Sequence, residues 1–144
     1  MRTRRLFALT MLMAMLTVPL SALPAIAGDG DVEREGSCSR RSDWKLKLSP
    51  ENGRLEVEFE VDQNVVGRKW KVVLKHEGYR FFKNRRTTKG PSGSFEVRRV
   101  INNKRGADGV TAKARNLRSG EVCRGVARSN NKGVAQMPGG AGLL

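Results

Sequence analysis

The stretch Trp44-Lys45-Leu46-Lys47-Leu48-Ser49-Pro50-Glu51-Asn52-Gly53-Arg54-Leu55-Glu56-Val57-Glu58-Phe59-Glu60-Val61 decides the fold class of this chain. Leu55, Val57, Phe59 and Val61 alternate with Glu56, Glu58 and Glu60. A period of two puts one set on each face of a strand, and no helix face collects them that way. Trp44, Leu46 and Leu48 alternate with Lys45 and Lys47 in the same manner. Between the two runs, Pro50 brings a fixed φ and Asn52-Gly53 tolerates positive φ, so the segment predicts a hairpin.

The same period continues downstream. Trp70, Val72, Leu74 and His76 alternate with Lys71, Val73 and Lys75, and residues 79–83 suit a shorter strand. Phe95 and Val97 alternate with Glu96 and Arg98, but Val100 falls out of phase and predicts a bulge or strand end. Val110, Ala112 and Ala114 alternate with Thr111, Lys113 and Arg115, and residues 121–127 supply the last candidate. Glu77-Gly78, Lys89-Gly90-Pro91-Ser92-Gly93 and Leu117-Arg118-Ser119-Gly120 read as connectors. No amphipathic helix and no internal repeat interrupts the series.

Outside this domain the chain changes character. Arg2, Arg4 and Arg5 precede an apolar run over residues 6–16, and Ala25-Ile26-Ala27 gives the small-x-small pattern of a signal peptidase site. Residues 1–27 are therefore expected to be a removed signal peptide. A transmembrane anchor would need about 20 apolar residues, roughly twice this run. Thr3-Arg4-Arg5-Leu6-Phe7 is similar to the twin-arginine export motif, while the strongly apolar run favours the general route. No cysteine follows the cut, and the C-terminus shows no anchoring signal. Residues 28–37 are rich in Gly, Asp, Glu and Ser and residues 129–144 in Ser, Asn and Gly, so they are expected as a flexible N-terminal segment and a disordered C-terminal tail. Residues 38–128 remain, enough for one modest core.

Cys38 and Cys123 are the only cysteines, 85 positions apart near the two ends of that domain. In an exported chain they are expected to form a disulfide, worth up to about 4–5 kcal/mol in the loop-entropy picture. With no CxxC, the bridge reads as structural.

Seven short strands at this spacing resemble an immunoglobulin-like or fibronectin type III-like sandwich. By that resemblance the first, second and fifth strands form one sheet and the other four form the second. Trp70 takes the place of that family's third-strand tryptophan, and Asp108-Gly109-Val110-Thr111-Ala112 that of the sixth strand's start. The cysteine pair between strands two and six and the sixth-strand tyrosine are missing. A small β-barrel is the architectural alternative. The signal peptide, the long-range cysteine pair and Gly120-Glu121-Val122-Cys123-Arg124-Gly125 together resemble small uncharacterised secreted proteins of actinobacteria, a resemblance that implies no activity.

Little catalytic chemistry is on offer. His76 is the only histidine, at the inward end of its strand, and is expected to solvate its ring at the rim. There is no GxSxG elbow, and zinc would need more ligands than remain outside the bridge. Glu56, Glu58 and Glu60 line one open strand face rather than a cleft. Asp29, Asp31 and Glu33 resemble the opening of a calcium loop whose other ligands are missing. No cofactor and no enzymatic activity are expected.

Positive charge is the stronger signal. Removing residues 1–27 takes away three of the 28 lysines and arginines and none of the 14 acids, so the net charge falls only from +14 to +11. Alternation mixes signs on the outer face of the first sheet but sends Lys71, Lys75, Lys113, Arg115 and Arg124 outward together on the second. Arg80, Lys83, Arg85, Arg86 and Lys89 are placed to extend that surface. Lys71, Lys75, Lys113, Arg115 and Arg124 are the candidate anion-binding set, for an anionic envelope polymer or an acidic protein. Sequence-specific reading of nucleic acid is not expected, because no helix is available for the major groove. The alternative function is an inhibitor of an exported hydrolase, acting through residues 84–93 on a rigid scaffold. The sequence sets no oligomeric state.

Overall fold

The computed structural model describes residues 30–104 and 106–131. The expected signal peptide lies outside them, as does the C-terminal tail from residue 132. The described chain is all β: β1 (Val32–Ser37), β2 (Asp43–Glu51), β3 (Arg54–Asp62), β4 (Lys69–His76), β5 (Tyr79–Thr87), β6 (Ser94–Asn102), β7 (Gly106–Asn116) and β8 (Val122–Asn131). They form two antiparallel four-stranded sheets, ordered β1-β2-β3-β6 and β5-β4-β7-β8. No strand ladder joins the sheets among the described residues, so the arrangement is a sandwich rather than a closed barrel.

The hairpin of β2 and β3 forms as its turn chemistry requires. Glu51 pairs with Arg54 across a two-residue loop in which Asn52 and Gly53 have φ of 49° and 73°. Glu77 and Gly78, at 47° and 82°, make the same kind of turn between β4 and β5. Positive φ at both central positions matches the right-handed twist of the strands they join.

The inward sets pack face to face. Leu46, Leu48, Leu55, Val57, Phe59 and Val61 meet Trp70, Val72, Leu74, Val110, Ala112 and Ala114, all without measurable exposure. Trp70 stacks tilted on Phe95, centroids 6.1 Å apart, and its Nε1–H donates to Gln63 Oε1 at 3.1 Å.

The two open edges are closed differently. At the β5/β6 edge, Phe82 has the guanidinium carbons of Arg86 and Arg99 at 5.0 and 4.6 Å from its ring centroid. This explains the phase at Val100 without a bulge. Pairing of β3 with β6 runs unbroken through Asn102, and the inward position beside Val100 is Arg99, which caps the ring instead of entering the core. The bulge of this fold lies elsewhere, between Leu74 and Lys75 against β5.

At the β1/β8 edge, Cys38 and Cys123 form the expected disulfide. Beside it Trp44 fills a slot between Gly36 of β1 and Gly125 of β8. A Cβ there would come within 3.0 and 2.6 Å of the indole. Ser39 N–H donates to the Val122 carbonyl, Val122 N–H to Ser39 Oγ, and Ser42 N–H to the buried Glu121 carboxylate.

Two expectations about the ends are corrected. The segment 28–37 is not a loose tail throughout, and the strand count is eight rather than seven. β1 gains its order from the exposed ladder of β2 and from charge, with Lys47 3.1 Å from Asp31 and Lys45 3.9 Å from Glu33. Val32 is its one apolar side chain packed against the core, so alternation of apolar residues does not signal this strand. Likewise the tail does not start at residue 129. β8 continues to Asn131 opposite Gly106, with Ser129 buried opposite Asp108.

Candidate functional site

Antiparallel partners project to the same side, so the ladders fix what each outer face carries. On the β5-β4-β7-β8 face, Arg85, Lys71 and Arg115 lie side by side on three adjacent strands. The next row runs Lys83, Val73, Lys113, Arg124, and the third Arg80, Lys75, Thr111, Val126. Arg128 follows on β8 beside Gly109. Every one of these cations is exposed. No carboxylate occupies any position of the first three rows, the Glu77 carboxylate lies over Gly109 at the Arg128 end, and none of these cations has an ion-pair partner among the described residues.

All five residues singled out from the sequence, Lys71, Lys75, Lys113, Arg115 and Arg124, are thus on one surface. Arg80, Lys83 and Arg85 join them, because β5 is longer than expected and pairs with β4 to its end. Arg86 does not, since it turns toward Phe82. Arg128 continues the outward alternation of β8 and follows from extending the same pattern. Arg118 had no periodic signal, and only the fold brings it to this surface.

Arg118 belongs to the β7–β8 turn, which forms one wall of a groove of about 860 Å³. Lys83 and Arg85 form the opposite wall, with Lys71 and Arg115 between. The turn is held by Asn116. Its Oδ1 accepts the backbone N–H groups of Arg118 and Ser119 at 2.9 and 3.0 Å, and its Nδ2 donates to Gln63 Oε1 at 3.3 Å. Gln63 in turn takes the Trp70 indole N–H, so the loop that carries Arg118 is tied to the core.

His76 is a correction. Its ring is not solvated at the rim but is 8% exposed, with Nε2 2.5 Å from Oδ1 of the fully buried Asp108. Asp108 also accepts the backbone N–H of Lys104. Alternation shows only that both residues point inward. Their meeting depends on the diagonal offset between β4 and β7, which the ladder alone reveals. By register Ser129 lies opposite Asp108, which places the acid between the histidine and the serine, whereas a serine–histidine–acid relay has the histidine in the middle.

Asp31 and Glu33 pair with Lys47 and Lys45 on the other face, and no group of metal-ligating side chains forms among the described residues. No helix among them is long and apolar enough to cross a membrane. Compared with protein-family models, curated proteins and solved structures, the chain matches none.

Proposed function

We propose that this chain is a secreted, non-enzymatic binding module that contacts an anionic cell-envelope polymer through the β5-β4-β7-β8 face. One observation carries the reading: cations occupy adjacent strands in successive rows, and no carboxylate lies between them. Like charges opposite each other on a ladder destabilise a sheet, and a bound polyanion removes that cost. The disulfide suits an oxidising compartment, in keeping with export.

We also read the sandwich as immunoglobulin-like or fibronectin type III-like. Support comes from strand order, with β2, β3 and β6 in one sheet and β5, β4, β7 and β8 in the other, and from the buried Trp70 on β4. Nothing favours the inhibitor reading over the binding module. Residues 84–87 are part of β5, and Thr88 is pinned through its Oγ1 to the Val65 carbonyl and the Arg68 N–H. Of residues 84–93, that leaves the turn at 89–93, closed by the Lys89–Ser94 bridge, as the segment such an inhibitor would present.

The test replaces Lys71, Lys75, Lys113, Arg115 and Arg124 by serine and measures sedimentation with isolated cell-wall material. The wild-type protein should bind with a steep inverse dependence on salt, as multi-site polyanion contacts do. The variant should lose most of the binding. Equal retention of both proteins on the wall material would refute the assignment.

A further inference from the structure

We propose that the groove at the β7–β8 turn is a phosphate site, and that the polymer met by the basic face is linked by phosphodiesters and carries no bases. The inference rests on the reading of that face as a polyanion surface. It begins with the directions from which donors arrive. Lys83 and Arg85 stand on the β5 wall, Lys71 and Arg115 on the floor, and Arg118 on the turn opposite. A carboxylate keeps its acceptor lone pairs in one plane and is satisfied by one guanidinium fork. A phosphate group spreads its oxygens tetrahedrally and accepts from several sides at once. Arg85, Arg115 and Arg118 add planar forks suited to such oxygens, where lysines alone would act as point charges.

Rigidity supports the same conclusion. The Asn116 side chain accepts from two successive N–H groups of the turn, the Gly120 N–H closes on the Asn116 carbonyl at 3.0 Å, and Leu117 N–H donates to the Lys69 carbonyl at 2.9 Å. Arg118 is presented on a loop ordered before any ligand arrives, which lowers the cost of binding. No aromatic residue occupies the rows of this face, so unpaired bases lack the aromatic platforms on which single strands are held.

The experiment measures affinity of the purified protein for poly(glycerol phosphate), poly-glutamate and a single-stranded oligonucleotide matched in number of charges. Poly(glycerol phosphate) should bind about tenfold more tightly than poly-glutamate, the order of one charge-assisted hydrogen bond. Arg118→Lys keeps the charge and removes the fork, so it should bring the two polymers together without changing the salt dependence. Lys113→Gln, on the flat of the sheet, should weaken both polymers equally. If wild-type protein holds both polymers equally, or if Arg118→Lys retains the preference, the groove is not a phosphate site while the basic-face reading stands. A single strand bound as tightly as poly(glycerol phosphate) overturns the restriction to polymers without bases. Failure of all three probes to bind removes the basic-face reading itself.

Discussion

The outer faces of the two sheets are built by the same alternation and end in opposite electrostatic states. On the β1-β2-β3-β6 face, Glu33, Lys47, Glu58 and Arg98 lie side by side across all four strands, each next to an opposite charge. Arg98 bonds Glu58 and reaches Glu56 at 3.0 Å, and these neighbours raise its pKa further above the ordinary arginine range. On the β5-β4-β7-β8 face, Lys71 has Arg85 on one side and Arg115 on the other. One face mixes signs with an excess of acids, Glu60 lying opposite Glu96 and Asp43 opposite Asp62, while the rows of the other hold cations as their only charges. A sheet needs only polar residues outside to fold, so the second arrangement is a departure that folding does not demand.

The largest effect should come from making the second face resemble the first. Lys71→Glu with Lys113→Glu places carboxylates between Arg85 and Arg115 and beside Arg124. Binding to envelope polymer should fall by about a thousandfold or more, because several contacts are lost and repulsion is added. Stability should rise, each new cross-strand pair contributing a few tenths of a kcal/mol. Titration against wall material, together with urea unfolding, reads both quantities. A variant that loses both binding and stability would show that the cations serve the fold, and the contrast between the faces would then have no functional meaning.

Next in size is the link that holds the two faces in one body. Cys38→Ser with Cys123→Ser frees the β1–β2 connection from β8 and should cost about 2–4 kcal/mol of unfolding free energy. Polymer affinity of the folded fraction should stay within about twofold, because the rows of the basic face are set by the β4, β5, β7 and β8 ladders. A cost below about 1 kcal/mol would instead assign the closure of that edge to Trp44 in its glycine slot.

What the sequence showed and what it hid follow the same division. The alternation of Lys71, Val73 and Lys75 against Trp70, Val72 and Leu74 was enough to place the β4 side chains, and the Asn52-Gly53 and Glu77-Gly78 turns were enough to join their strands. Five site residues could be found because a face is a local property of each strand. Arg118 and the buried His76–Asp108 pair could not, since both depend on how elements distant in sequence are offset. β1 was missed for a different reason. Its charged residues look like solvated coil until Lys45 and Lys47 are known to lie opposite them.

The smallest prediction separates the faces by what one lysine does for stability. The hydrogen bond from Lys47 to Asp31, and then the charge of that carboxylate, raise the Lys47 pKa above its ordinary value. A raised lysine pKa stabilises the fold fully below the unfolded-state value of about 10.4, and the contribution fades as pH climbs through the folded value. Lys47 retains a third of its side-chain exposure, so solvent screening limits the pair to less than about 1 kcal/mol. Lys47→Gln should therefore lower stability by a small constant amount from pH 6 to 9, with the difference shrinking only in stronger alkali. Lys113→Gln, which removes a cation with Arg124 beside it and no carboxylate, should cost nothing over the same range and gain slightly at low salt. Equal losses from the two substitutions would mean that both lysines stabilise through their aliphatic stems, and the faces would differ in charge without differing in energy.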